Sequence, residues 1–255
     1  MAASVDCLTV NDPERVSILG FPIDRVSLSQ TKDIFVSYLQ APASKTRLVL
    51  TADSNAFISA ESDPDYRRIF AEASLVTPDS AGPVWALSRM GKGVEGRVSG
   101  VVLLEVLCEI SADLGVSIYF LGSAPGVAAA AVDNLQKKFP KMVVAGVRDG
   151  YFAKADDEIV AKSIAETKPD IVVVAMGMPR QELFILDTAS IIQAKIGIGV
   201  GGSLDVHSGT VKRAPRFIQK IKMEWAWRFL LNPRKIAKVK NLPIFYLRVR
   251  RMKRP

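Results

Sequence analysis

Three features of the sequence predict an α/β fold: a Rossmann-like parallel sheet with helices on both faces, plus a basic amphipathic helical C-terminal appendage. Short β-rich runs alternate with helical segments of about 10–15 residues, the pattern of βαβ units. Two of the runs, 171–178 and 196–200, are apolar throughout, as expected of strands covered on both faces. The third feature is charge. Residues 212–255 hold fifteen Lys or Arg and one acidic residue, Glu224, in a chain whose total is +8. That stretch is near +14, so the preceding 211 residues sum to about −6. The boundaries follow: a body over 1–211 and a basic appendage over 212–255.

Residues 47–51 (RLVLT) form a short β-rich run, and 54–61 read as a helix. Asp63-Pro64-Asp65 is a helix start with Pro in the first turn. A second apolar run over 74–78 ends at Asp79-Ser80-Ala81-Gly82. Residues 116–121 (VSIYFL) are a strand, and 122–126 are a turn with Pro125 near a helix start. An amphipathic helix over 127–139 stops before Pro140. A strand over 142–147, a helix over 156–167, a strand over 170–176, a helix over 180–190 and a strand over 196–200 complete the body. In the appendage, Ile218, Ile221, Trp225 and Phe229 recur at helical spacing beside Arg216, Lys220 and Lys222. Residues 242–247 are apolar and 248–254 almost entirely basic.

Composition narrows the classes. The first ten residues carry neither a basic nor an apolar region, so no secretory signal is expected. The longest apolar runs fall well short of the roughly 20 residues needed to cross a bilayer. Cys7 and Cys108 lack metal-site spacing and read as reduced thiols. A basic tail calls for a polyanionic partner, either nucleic acid or an anionic membrane surface.

Ligands of open α/β sheets bind at the carboxyl ends of the strands, which makes those loops the informative ones. The clusters 122–126 and 199–202 would let backbone N–H groups, including those of Gly122 and Gly201, approach a diphosphate, with a tight turn the better reading of each taken alone. Gly197-x-Gly199-x-Gly201 lacks the spacing of the dinucleotide fingerprint. Asp79, after an apolar run, is a candidate general base or a helix cap. Asp63 and Asp65 have the form of a metal-holding pair, with capping the better reading. Arg180, Gln181 and Glu182 open a helix and are placed to orient a sugar, or form an ordinary charged first turn. His207, the single histidine, has no triad or metal partner in sequence and reads as a packing or surface residue.

Several segments together resemble the WecG/TagA/CpsF glycosyltransferases over about residues 15–235. They are Thr51 with Asp79, Arg97-Val-Ser-Gly100, residues 119–126, Asp149-Gly-Tyr-Phe152, Gly177-Met-Pro-Arg-Gln-Glu182, and 199–205 running into Gly209-Thr-Val-Lys-Arg-Ala-Pro-Arg216. The resemblance implies transfer of a sugar from a UDP-sugar donor to a polyprenyl-diphosphate-linked acceptor, at the cytoplasmic face of the bacterial inner membrane, without a cofactor or metal. Family members add N-acetylmannosamine in teichoic-acid or enterobacterial-antigen synthesis, or glucose in exopolysaccharide assembly. It further implies Asp79 as the base of an inverting displacement, with Thr51, Arg97 and Gln181 lining the sugar pocket. Tyr151 and Asp205 would meet the uridine, while Arg213, Arg216 and Arg228 would close over the site and hold diphosphate charge. Ser80, Val102 and Asp53 stand where the family usually has Gly, Asp and Asn, so they bear on which sugar is moved. A homo-oligomer is compatible with this reading. The competing classes are a nucleic-acid binder, which lacks any recognisable module, and a nucleotide-dependent oxidoreductase, which lacks the fingerprint.

Overall fold

The computed structural model describes residues 12–42, 45–211 and 241–252. The predicted basic helix bearing Ile218, Ile221, Trp225 and Phe229, and the residues Arg213, Arg216 and Arg228, lie outside the described residues.

The apolar runs become a six-stranded, fully parallel sheet. Before it comes a two-stranded antiparallel hairpin, β1 (Arg15–Ile18) and β2 (Phe21–Asp24), followed by helix α1 (Leu28–Gln40). The sheet strands are β3 (Arg47–Ala52), β4 (Leu75–Pro78), β5 (Ser117–Gly122), β6 (Val143–Arg148), β7 (Ile171–Ala175) and β8 (Ile196–Gly199), in spatial order β4-β3-β8-β7-β5-β6. The helices between them are α2 (Ser54–Ala60), α3 (Pro64–Glu72), α4 (Ala81–Arg89), α5 (Gly100–Leu114), α6 (Val127–Lys138), α7 (Asp157–Glu166), α8 (Arg180–Asp187) and α9 (Ala189–Ile192). After β8 come α10 (Ser203–His207) and the C-terminal α11 (Asn241–Arg251).

Every predicted strand is present within one or two residues. The helix expected over 180–190 divides in two at Thr188, which leaves helical geometry (φ −108°, ψ 7°) with its hydroxyl donating to Phe184 O (2.6 Å). The hairpin, α1 and α5 had no counterpart in the sequence reading, and α4 had one only in the capping alternative for Asp79. Ser27 starts α1 with a reciprocal capping box: Gln30 N–H donates to Ser27 Oγ and Ser27 N–H to Gln30 Oε1.

Strand alternation sends side chains to two separate cores. Leu48, Leu50, Val172, Val174, Tyr119 and Leu121 pack on one face with Phe57, Phe70 and Phe184. Val49, Ile171, Val173, Ile118 and Phe120 pack on the other with Phe35, Leu104 and Leu107. The central strand β8 is asymmetric. Ile196 and Ile198 join the second core, whereas Gly197 and Gly199 face α8. A Cβ at 197 would lie 2.6 Å from Ile185 Cγ2, and one at 199 would lie 2.4 Å from Gln181 Nε2 and Glu182 Oε1. These glycines therefore allow α8 to lie directly on the sheet. Gly197→Ala is expected to destabilise the fold by about 1–3 kcal/mol through overpacking; a urea midpoint equal to wild type would contradict this.

The outer edge of β4 is closed by a buried carboxylate. Asp24, 1% exposed, accepts from Val76 N–H at 2.7 Å. Arg15 grips both of its oxygens (2.7 and 2.8 Å) and donates to Ser74 O at 3.1 Å. Helix α11 is also tied down. Phe245 and Val249 of α11 enter the first core beside Phe57. The C-terminal end of the expected appendage thus packs on the body.

Candidate functional site

The carboxyl ends of the strands are knitted together by main-chain bonds, and these place the candidate residues. β3 runs into Asp53, whose Oδ1 accepts from Ala56 N–H (2.9 Å) and caps α2. β4 runs into Asp79, whose N–H donates to Ala52 O (3.1 Å). The 97–99 segment lies against the same strand end: Val98 N–H donates to Pro78 O (2.8 Å), and Thr77 Oγ1 to Val98 O (3.2 Å). Arg97 and Asp79 each sit one residue from that Val98–Pro78 bond. Asp79 is half-buried and Arg97 exposed. The capping alternative for Asp79 is not adopted, since Ser80 occupies the cap position of α4. Thr51 is buried, and its hydroxyl donates to Gly199 O (3.2 Å), joining β3 to β8.

The first turn of α8 sends its three polar side chains in different directions. Arg180 forms a two-point ion pair with Asp157 of α7 and stacks over the Phe152 and Phe184 rings (5.4 and 5.8 Å). Sequence reasoning missed this partner, which lies twenty-three residues away without any local signal. Gln181 and Glu182 turn inward and are 3% and 0% exposed. Gln181 Oε1 accepts from Gly177 N–H and Gly201 N–H (3.0 Å each), and its Nε2 donates to Glu182 Oε1 (2.7 Å). The Tyr66 phenol lies nearby. Burial pushes its pKa up, a bond with Ser59 opposes that, and the charges of Asp53 and Glu182 add to the rise.

The remaining candidates lie at the ends of β5, β6 and β8. Gly122 has φ +135°, and a Cβ there would sit 2.5 Å from Ala175 O, so close strand packing alone requires glycine. Ser123 N–H donates to Ala175 O and Gly150 N–H to Ser123 O, which draws the β6 loop alongside. Tyr151 on that loop is 75% exposed, and its N–H is held by Asp149 Oδ1 (2.9 Å). Asp205 is half-buried on α10, where its carbonyl accepts from Val211 N–H (3.0 Å). His207, also half-buried there, offers its carbonyl to Asn134 Nδ2 (3.0 Å). Thr51, Asp79, the Arg97 loop, Gln181 and Gly201 are therefore brought together, with Gly122 and Tyr151 on the adjacent strands of the same sheet end.

Asp63 caps α3 by accepting from Asp65 N–H (2.9 Å), with Pro64 opening the helix. Among the described residues, no three His, Cys, Asp or Glu side chains converge as a metal site would require. Cys108 is buried in α5, where desolvation pushes its thiol up to about 12 and leaves it inert near neutrality.

Helix α11 supplies one group that the sequence did not announce. Asn241 Nδ2 donates to Asn55 Oδ1 (2.7 Å) in the first turn of α2, close to the strand ends. Trp85 of α4 packs on Tyr246 with ring centroids 4.7 Å apart.

The profile of the glycosyl transferase WecG/TagA/CpsF family matches residues 16–255. A Bacillus spizizenii protein named N-acetylglucosaminyldiphosphoundecaprenol N-acetyl-beta-D-mannosaminyltransferase is 33% identical over 212 residues, 82% of each chain. A Staphylococcus aureus protein of the same name is 30% identical over 240 residues, 94% of each chain. The chain belongs to the WecG/TagA/CpsF family of glycosyltransferases.

Proposed function

We propose that the protein transfers a hexose, N-acetylmannosamine or a glucose-type sugar, from a UDP-sugar to a polyprenyl-diphosphate-linked sugar during assembly of a bacterial surface polysaccharide. The step is a single inverting displacement. The acceptor hydroxyl oxygen attacks the anomeric carbon, its proton passes to the Asp79 carboxylate, and the bond from that carbon to UDP breaks with the electron pair leaving on the diphosphate. The observation that carries this reading is the meeting of the Asp79 and Arg97 loops through the Val98–Pro78 bond, at the strand ends where Thr51 closes onto β8. The tail residues Arg213, Arg216 and Arg228 would meet the charge that develops on UDP, with backbone N–H groups helping, in place of a metal, while Arg97 lines the sugar pocket. Tyr151, by its exposure, is free to cover the uridine, with Asp205 beside it. The names of the two relatives support the polyprenyl-linked acceptor.

The acceptor is lipid-bound, so the reading includes peripheral seating on the cytoplasmic face of the membrane. No helix among the described residues is long and apolar enough to cross one. On α11, Ile244 and Leu247 stay exposed beside the exposed Arg248 and Arg251, the side-chain types of an interfacial helix. Each basic residue held near anionic headgroups contributes about 1 kcal/mol.

Donor screening tests the proposal. Purified protein is incubated with UDP-N-acetylmannosamine, UDP-N-acetylglucosamine or UDP-glucose, together with a short-chain polyprenyl-diphosphate-linked N-acetylglucosamine or glucose. Release of UDP with one donor, dependent on acceptor, is expected. Protein that binds UDP yet turns over no pair would refute the acceptor assignment, and absence of UDP binding would refute the donor assignment.

A further inference from the structure

The resemblance sets Gln181 among the sugar contacts, but its geometry is that of a clamp. It is 3% exposed, so almost no surface remains for a sugar hydroxyl. The neighbours fix how its amide is turned. Main-chain N–H groups only donate, so Oε1 must face those of Gly177 and Gly201, and Nε2 is left to donate to Glu182 Oε1. Both main-chain nitrogens lie 3.0 Å from Oε1. Gly177 lies in the turn after β7 and Gly201 in the turn after β8, and these strands are neighbours in the sheet. A carbonyl oxygen has two lone pairs, and both are used. Gly199 completes the device, because a Cβ there would meet Gln181 Nε2 and Glu182 Oε1 at 2.4 Å.

We propose that Gln181 is a positioning residue: it ties the β7 and β8 turns together and sets the wall against which the donor's nucleoside diphosphate rests, without touching the sugar. Backbone N–H groups of glycine turns and helix starts are common partners of phosphate oxygens; those of Gly177 and Gly201 are taken by Gln181, so the clamp acts through the spacing of the turns around them. One oxygen bridging two turns fixes that spacing. The idea rests on the UDP-sugar reading above and departs from it only in the role of this residue.

The test separates the nucleotide from the sugar. Gln181→Met keeps length and volume and removes the acceptor. Calorimetry with UDP and with the UDP-sugar the wild type uses is expected to show both weakened by the same factor, about ten-fold, since two turn N–H groups lose their partner. Unchanged UDP affinity with a selective loss of UDP-sugar affinity would overturn the proposal and make Gln181 a direct sugar ligand. Gly199→Ala displaces the same side chain without altering its chemistry. It should weaken both ligands equally, and it serves if Gln181→Met does not fold. Hydrogen exchange supplies a ligand-free readout. The Gly177 and Gly201 amides should exchange about ten-fold faster in Gln181→Met, and unchanged exchange would also overturn the clamp. If the wild type binds no UDP, the donor reading fails, and the exchange result still decides whether the clamp exists.

Discussion

Replacing Asp79 by Asn is expected to lower turnover by about 10²–10⁴, the usual contribution of a general base, while UDP affinity stays within about two-fold. The loop is pinned on both sides, by Asp79 N–H on Ala52 O and by Val98 N–H on Pro78 O. Neither bond uses the Asp79 side chain, so an isosteric amide should leave the backbone in place. What Asn cannot do is take a proton from the acceptor hydroxyl. Binding of the donor, which rests on the nucleotide contacts and the neighbouring turns, should survive. The loss should therefore fall on kcat, the pattern of an interaction made only in the transition state. Steady-state kinetics with both substrates, beside calorimetry with UDP, would read the two quantities separately. An Asp79→Asn enzyme turning over at the wild-type rate would remove Asp79 from the chemistry. Loss of UDP binding instead of turnover would recast it as a residue that shapes the nucleotide pocket.

The strands of the body were legible because the sheet is buried on both faces, which leaves uninterrupted apolar runs such as 171–175 between polar loops. The helices that escaped notice did so for identifiable reasons. α5 buries residues around most of its circumference, from Val101 and Leu103 to Cys108 and Ile110, so no clear apolar stripe marks it. α4 opens with Ala81-Gly82-Pro83, which reads as a loop; in the fold Gly82 is where Ser54 and Phe245 come closest, and a Cβ there would be 1.9 Å from Ser54 Oγ. The hairpin strands are four residues each, too short to show a pattern; in the fold Ile18 and Ile23 enter the first core and Arg15 pairs with Asp24 at the edge of β4. Among the site residues, Asp79 and Thr51 stood out because each follows or ends a strand. The inward turn of Gln181 and Glu182 could not be read, since it depends on a glycine face of β8 that the sequence shows only as a Gly-x-Gly spacing without a recognised fingerprint. The same spacing serves packing at Gly197 and Gly199, and only at Gly201 does a turn N–H enter the candidate site, through Gln181.

Phe245→Ala is expected to cost about 3–5 kcal/mol, the range for removing a buried aromatic side chain. That is a large share of the roughly 5–15 kcal/mol that holds a typical domain together. Phe245 is 0% exposed, its ring centroid is 5.8 Å from that of Phe57, and a Cβ at Gly82 would lie 3.1 Å from its edge. Truncation would leave a cavity between α2 and α4. Those helices begin at Asp53 and Ser80, directly after the loops of the candidate site, so α11 braces the site from behind. Arg248 reaches Glu61 (3.6 Å) and Arg89 donates to Arg250 O (3.1 Å), but both contacts are exposed and contribute little. The docking energy is therefore concentrated in Phe245 and Val249. Leu247 on the same helix is 55% exposed, and Leu247→Ala should change stability by no more than about 0.5 kcal/mol. Urea unfolding of the two variants reads the difference directly as a shift in midpoint. A large shift for Phe245→Ala with none for Leu247→Ala is the signature of a docked helix with one face buried. Equal, small shifts would mean that α11 leaves its groove in solution. The brace would then be absent from the free enzyme, and the basic segment 212–255 would act apart from the body that carries Asp79.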